Sequence, residues 1–207
     1  MIRQHFLPQC QRGLAFPLAF QNHPVTLGGY ALERLLDIKI HGTEKALVSA
    51  LKNKLLNSKG IVSIDGVDGV GKTTLSAKIA KELCLSTIEL DDFVQENKGG
   101  YVNYIDYDRL LDKIISNKFA VIEGICVLQV LNKIQIQPDV SVYIKEIDIY
   151  GFCNGQIKYF PPYQSADEVI NDRKSKGFSV EYEADVIRYH YSFKPHENSD
   201  FIFQRQT

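Results

Sequence analysis

No charge of one sign prevails in these 207 residues, where 24 Lys and Arg stand against 25 Asp and Glu. That balance excludes an overall field drawing the chain onto nucleic acid or an anionic membrane, so any anion site has to be local. Cysteine is sparse and scattered: Cys10, Cys84, Cys126 and Cys153 form no CxxC pair and have no His at metal-ligand spacing. Neither a zinc site nor a disulfide framework is written there, and reduced thiols in a cytoplasmic protein are the expectation. Long apolar runs are missing too. The longest early one covers residues 14–20, is broken by Pro17 and is followed by no cleavage site, so neither an export signal nor a membrane span is expected. There is no internal repeat and no low-complexity tract. What is present is length enough for one large α/β domain, which buries roughly 70% of its unfolded surface without staples.

Residues 1–42 differ from the rest, because Pro8, Pro17, Pro24, Gly13 and the Gly28-Gly29 pair interrupt short apolar patches. Short strands or an irregular wrap are expected there, as an extension of unknown role outside a domain spanning 43–207. From Thr43 the pattern turns helical: Thr43 is placed to cap a helix in which Leu47, Ala50, Leu51 and Leu55 recur, ending near Gly60. Short β-branched or apolar segments then read as buried parallel strands at 61–64, 87–90, 120–122, 140–144 and 201–203. Helical stretches at 75–85, 107–116 and 126–133 separate them. The alternation predicts a doubly wound parallel sheet of about five strands, with helices on both faces. Between the last two strands, Ser165 and Glu168 form a capping box opening a helix that Gly177 ends, and a second helix follows Ser179. This polar hairpin, within a lid of about 151–192, carries Arg173, Lys174, Lys176 and Arg188 and is placed to cover a ligand.

The strongest motif is Gly66-Val67-Asp68-Gly69-Val70-Gly71-Lys72-Thr73, which matches GxxxxGK[ST] between a strand and a helix. Glycines let the backbone curl its N–H groups inward, and the nest they form continues into the positive end of the next helix. Gly66, Asp68, Gly69, Val70, Gly71, Lys72, Thr73 and Thr74 are therefore the expected binders of ATP. Lys72 is expected to bridge the β- and γ-phosphates and the Thr73 hydroxyl to hold Mg²⁺. An ordinary glycine turn is the competing reading, but a random match per chain is on the order of one percent at average glycine usage. The glycine spacing does not fit the GxGxxG of a dinucleotide site. Asn132-Lys133 is followed by Ile134-Gln135, without the Asp by which GTPases recognise guanine.

In an open parallel sheet the ligand crevice lies beyond the carboxyl ends of the strands, which directs attention to Asp91-Asp92-Phe93 and to Glu123-Gly124. An acid there can take a proton from a substrate hydroxyl, and another can hold Mg²⁺; capping of the next segment is the plainer alternative for Asp91 or Asp92. Taken in order, Ile64-Asp65-Gly66-Val67-Asp68-Gly69-Val70-Gly71-Lys72-Thr73-Thr74, Asp91-Asp92-Phe93 and Val121-Ile122-Glu123-Gly124 resemble the uridine kinase family. That family phosphorylates nucleosides and related small alcohols. The resemblance covers roughly residues 43–207 and implies Asp91 as proton acceptor and Glu123 near Mg²⁺.

The segment from Tyr101 to Leu110 is similar to the family's acceptor-binding region, implying Asp106 or Asp108 on sugar hydroxyls, with Asp92 alongside. Tyr101 and Tyr104 could stack on a base or could simply be packing residues. Gly99-Gly100 would let this segment close over a substrate. Asp172-Arg173-Lys174-Ser175-Lys176-Gly177 resembles the family's lid, implying Arg173 and Lys176 on the transferring phosphate. Where the family carries an Arg early in that segment, this chain has Asn171; a solvated basic helix face is the alternative. The function expected is transfer of the ATP γ-phosphate to a hydroxyl of a small metabolite, by a protein that could form a homo-oligomer. Two other readings stand beside it. Residues 64–69 also resemble the start of thymidylate kinase, a nucleoside monophosphate kinase, although Glu123-Gly124 replaces the Asp-Arg pair found there. The other is a non-catalytic ATP switch whose first 42 residues contact a partner.

Overall fold

A computed structural model describes residues 39–55, 60–95, 100–178 and 180–206. The expected strand or wrap at the start of the chain, Cys10 and Gly99 lie outside the described residues. Six described strands form one all-parallel sheet: β1 (Lys39–His41), β2 (Ile61–Asp65), β3 (Ser86–Glu89), β4 (Ala120–Gly124), β5 (Val140–Ile147) and β6 (Phe201–Gln206). Their order is β1-β6-β5-β2-β4-β3. The five strands legible as apolar runs are all present. The sixth, β1, is three residues of the segment expected to stand outside the domain, and it pairs with β6 through Ile40 and Ile202.

Parallel strands need crossovers long enough for a helix, and the chain supplies them as α1 (Glu44–Leu55), α2 (Lys72–Leu83), α3 (Tyr107–Ser116) and α4 (Val127–Lys133). The Ala46 amide donates to Thr43 Oγ1 at 3.3 Å, so the expected cap opens α1, whose Leu47 and Leu51 are wholly buried. Between β5 and β6 lie α5 (Asn154–Tyr159), α6 (Ala166–Ser175), α7 (Val180–Phe193) and α8 (Pro195–Asn198). The Ser165 and Glu168 capping box is formed, and Gly177 turns the chain at φ +80°. Among the described residues no helix is long and apolar enough to cross a membrane.

β2 is the pivot of the fold. It pairs with β4 on one side and β5 on the other, so successive crossovers leave it in opposite directions and open a crevice beyond its carboxyl end. Val62, Ser63, Ile64 and Asp65 are at most 1% exposed, as a strand covered on both faces requires.

α7 is fastened to this sheet by a buried aromatic stack. His190 lies flat on Phe160, ring centroids 4.4 Å apart, and His196 stacks on Phe160 at 4.3 Å. His190 shares a 3.0 Å hydrogen bond with the Tyr143 hydroxyl, and its Nδ1 lies 2.7 Å from the Val186 carbonyl. Burial lowers the His190 pKa from 6.5 to about 4, and that of His196 likewise. Each imidazole is thus neutral in the fold and takes its proton on unfolding. Stability from His190 is complete above pH 6.5 and is lost as pH falls toward 4, by about 3 kcal/mol at one pKa unit per 1.36 kcal/mol. Asp65, raised by burial to about 6, opposes this in part, since its native carboxyl holds a proton more tightly than the unfolded one. Urea midpoints should therefore drop between pH 6.5 and 4, and His190→Phe should flatten that slope even though it strands the Tyr143 hydroxyl.

Candidate active site

The turn between β2 and α2 has the shape its glycines permit. Gly69 and Gly71 take φ +79° and +86°, which side-chain-bearing residues rarely adopt, and Gly71 caps α2. The loop's amides and the α2 N-terminus together present a concentrated positive end. Lys72 is only 8% exposed and its ammonium donates to the Val67 carbonyl at 3.0 Å, which folds the side chain back along the loop. Asp68, Gly69, Thr73 and Thr74 form the exposed outer surface, while Gly66 and Val70 are buried beneath it.

The acids predicted from strand ends gather at the same edge. In the sheet register Glu123 lies beside Ile64 of β2 and Glu89 of β3. Its carboxylate accepts the Thr73 hydroxyl at 2.6 Å, and burial raises its pKa above the usual range despite that bond and the Lys72 charge. A hydroxyl and a carboxylate in contact are hard oxygen donors. Mg²⁺ is held in nucleotide sites by one or two such groups plus phosphate oxygens, so this pair fits it. Asp91 occupies a 3₁₀ turn (Leu90–Phe93) directly after β3, and its Oδ1 accepts the Tyr101 hydroxyl at 2.7 Å. The residue is otherwise exposed.

The acceptor segment is arranged differently from expectation. Tyr101 is 4% exposed, and burial beside Asp91 pushes its phenol far up, so it serves as a support for Asp91 and offers no open face for stacking. Asp106 caps α3 by accepting the Arg109 amide at 3.1 Å, and Asp108 lies exposed in that helix's first turn, where an acid favours the dipole. The Asp92 side chain is exposed, and its backbone carbonyl takes the Arg109 guanidinium. Tyr104 is half-buried on a cavity of about 640 Å³ that it shares with Gly100, Lys174, Phe178, Asp185 and Arg188.

The hairpin cations also fall into two kinds. Arg173 is held by both carboxylate oxygens of Glu183, one at 2.6 Å, and its guanidinium rests over the Phe178 ring at 4.5 Å. Lys176 pairs with Asp172 at 2.7 Å on the surface. Both are paired within the hairpin in this structure. Lys174 and Arg188 instead line the cavity.

Four residues without a local motif complete the site. Tyr182 on α7 feels the charges of both Asp68 and Asp91, and its ring meets Tyr101 edge-on at 6.1 Å. Asp185 accepts the Tyr101 amide at 3.1 Å, and the Tyr189 hydroxyl donates to Asp65. Arg205 on β6 donates to the Val70 carbonyl at 3.2 Å and crowds Gly71, so the last strand touches the glycine loop.

The NB-ARC domain profile matches residues 44–100, the stretch that contains the loop. The chain thus carries a P-loop motif at the carboxyl edge of a six-stranded all-parallel sheet. Proteins named "Putative adenylate kinase" from Saccharolobus islandicus and Saccharolobus solfataricus are 41% identical over 76 residues, covering 31% of this chain. The aligned stretch spans 40% of the length of those relatives. Among solved structures, a "Possible Uridine Kinase" from Bacillus stearothermophilus superposes with a TM-score of 0.44 at 14% identity, covering 77% of this chain and 98% of that one. An uncharacterized protein from Eubacterium ventriosum gives a TM-score of 0.34 at 13% identity, over 72% and 90% of the two chains.

Proposed function

We propose that this chain is an ATP-dependent phosphotransferase that moves the γ-phosphate to a hydroxyl of a nucleoside or similar small metabolite. The observation that carries this reading is the convergence of Asp91, Glu123 and Lys72 on one edge of the sheet, each delivered by a different strand end or helix start. In this reading the loop amides and the Lys72 ammonium hold the triphosphate and offset charge on its oxygens. Thr73 and Glu123 would hold Mg²⁺, which would supply further charge neutralisation for the triphosphate. Asp91 orients the acceptor hydroxyl and takes its proton. The acceptor oxygen bonds to the γ-phosphorus as the bond to the ADP oxygen breaks. Little else is needed, because phosphoryl transfer is catalysed mainly by placement and electrostatics.

The cavity beside Tyr104 is the candidate seat for the acceptor: Asp185 on its rim accepts the Tyr101 amide, and the Tyr101 hydroxyl donates to Asp91. A nucleoside monophosphate kinase is the second reading: Lys174 and Arg188 offer two cations to an acceptor's phosphate, beside the acids Glu181 and Asp185 on the same lining.

A panel of nucleosides, their monophosphates, sugars and vitamins, incubated with ATP and Mg²⁺ and assayed for ADP, tests both. Acceptor-dependent ADP with a phosphorylated product is the expected result, and nucleoside against monophosphate separates the two readings. Firm ATP binding with no turnover on any acceptor would instead favour a nucleotide switch.

A further inference from the structure

We propose that α7 is a two-sided brace that holds the phosphate loop and the proton acceptor in register, with Tyr189 and Asp185 as its positioning residues; this rests on the phosphotransferase reading above. Tyr182, Asp185 and Tyr189 fall three and four positions apart and so share one face of the helix. Each meets a different part of the site.

At one end of that face the Tyr189 hydroxyl donates to Asp65, and the other Asp65 oxygen accepts the Gly66 amide at 2.7 Å. Asp65 and Tyr189 are both 1% exposed, so the pair is shielded from water that could substitute for either partner. It fixes the peptide that begins the loop, where Gly66 is already walled in: a Cβ there would meet Val70 at 2.9 Å and the Ile144 carbonyl at 3.2 Å. Further along, Asp185 accepts the Tyr101 amide, and the Tyr101 hydroxyl donates to Asp91. Tyr182 closes the gap by packing on Tyr101. Two chains of contacts thus start one turn apart on one helix and end on the loop and on the base.

The brace is itself held firmly. His190 ties α7 to Tyr143 of β5, and the Arg173 pair with Glu183 locks α6 against it. This also gives Arg173 its use: it stiffens the hairpin that positions the site. A shift of about 1 Å between reacting groups can cost about 100-fold in rate, so a rigid common support for loop and base is worth having.

Isosteric variants that delete one hydroxyl each test the idea. Tyr189→Phe should weaken ATP binding about 10-fold by calorimetry while leaving kcat at saturating ATP within about threefold. Tyr101→Phe should do the reverse, lowering kcat about 10- to 100-fold with ATP affinity within about twofold. Asp185→Ala should copy Tyr101→Phe, and Asp185→Asn, which keeps an accepting carbonyl, should recover most of the loss. Should Tyr189→Phe not fold, Asp65→Asn is read in its place, because its amide cannot accept from both partners. A purely structural role would lower the melting temperature and the active fraction without separating affinity from turnover. Wild-type affinity in Tyr189→Phe, or wild-type kcat in Tyr101→Phe, overturns the brace. If the wild type binds ATP and phosphorylates nothing, the phosphotransferase reading fails, and the brace is then judged on the affinity of Tyr189→Phe.

Discussion

Lys72→Ala is expected to reduce phosphotransfer about 1000-fold or more and to weaken ATP binding, with the fold intact. Lys72 is 8% exposed and its ammonium is turned along the loop, an enclosed place where water is a poor substitute for it. A unit charge pair about 4 Å apart at an effective dielectric near 20 is worth about 4 kcal/mol, close to three decades in rate. The Val67 carbonyl is the one protein acceptor of this ammonium among the described residues. The Lys72 charge also offsets the buried carboxyls of Asp65 and Glu123, so its loss should cost some stability, and circular dichroism with a melting curve checks that the fold persists. Lys72→Arg should not restore activity, because a rigid planar fork does not fit a slot shaped for a point charge. Activity within tenfold of wild type in Lys72→Ala would mean that the loop is not where phosphate is handled.

Asp91→Asn should lower kcat by about 100- to 10,000-fold, the usual contribution of a positioned general base, with ATP affinity unchanged. The substitution suits the question because the Asn carbonyl can still accept the Tyr101 hydroxyl that now meets Oδ1 at 2.7 Å. Shape and support persist while the ability to take a proton is lost. Steady-state kinetics with saturating acceptor, paired with calorimetry for ATP, separates these effects. A fall in ATP affinity matching the fall in rate would place Asp91 among the nucleotide ligands and leave the base unidentified. The two variants thus divide the site into a half that holds charge and a half that moves a proton.

Much of this arrangement was legible in the chain because its signals are local. Five strands announced themselves as short apolar runs between helical periods, and the glycine loop carries its mechanism in eight consecutive residues. Glu123 could be placed near Thr73 by a single rule about strand ends, and the 2.6 Å bond between them agrees with that placement. β1 escaped because three residues, one of them charged, make no periodic pattern, and it forms only by pairing with β6. Asp106 stands directly before Tyr107, the place of a helix cap, and the bond it accepts from the Arg109 amide puts its charge to that use. Arg173 looked free in sequence; its partner Glu183 lies ten residues away across a turn whose geometry the composition does not state. Tyr182, Asp185 and Tyr189 were the least visible, since a helix face made of tyrosines and an acid reads as ordinary packing until the elements it touches are known.

The long reach from Asp65 to Tyr189, 124 positions along the chain, has a bearing on how the molecule is made. β2 finds its neighbours only once residues 120–124 and 140–143 have been synthesised, and the first amide of the loop is secured later still. A nascent polypeptide carrying the whole glycine motif would therefore leave the ribosome without a formed cradle. Nucleotide would act on the finished protein, deepening its native well by mass action, and could not serve as a template for early steps of assembly.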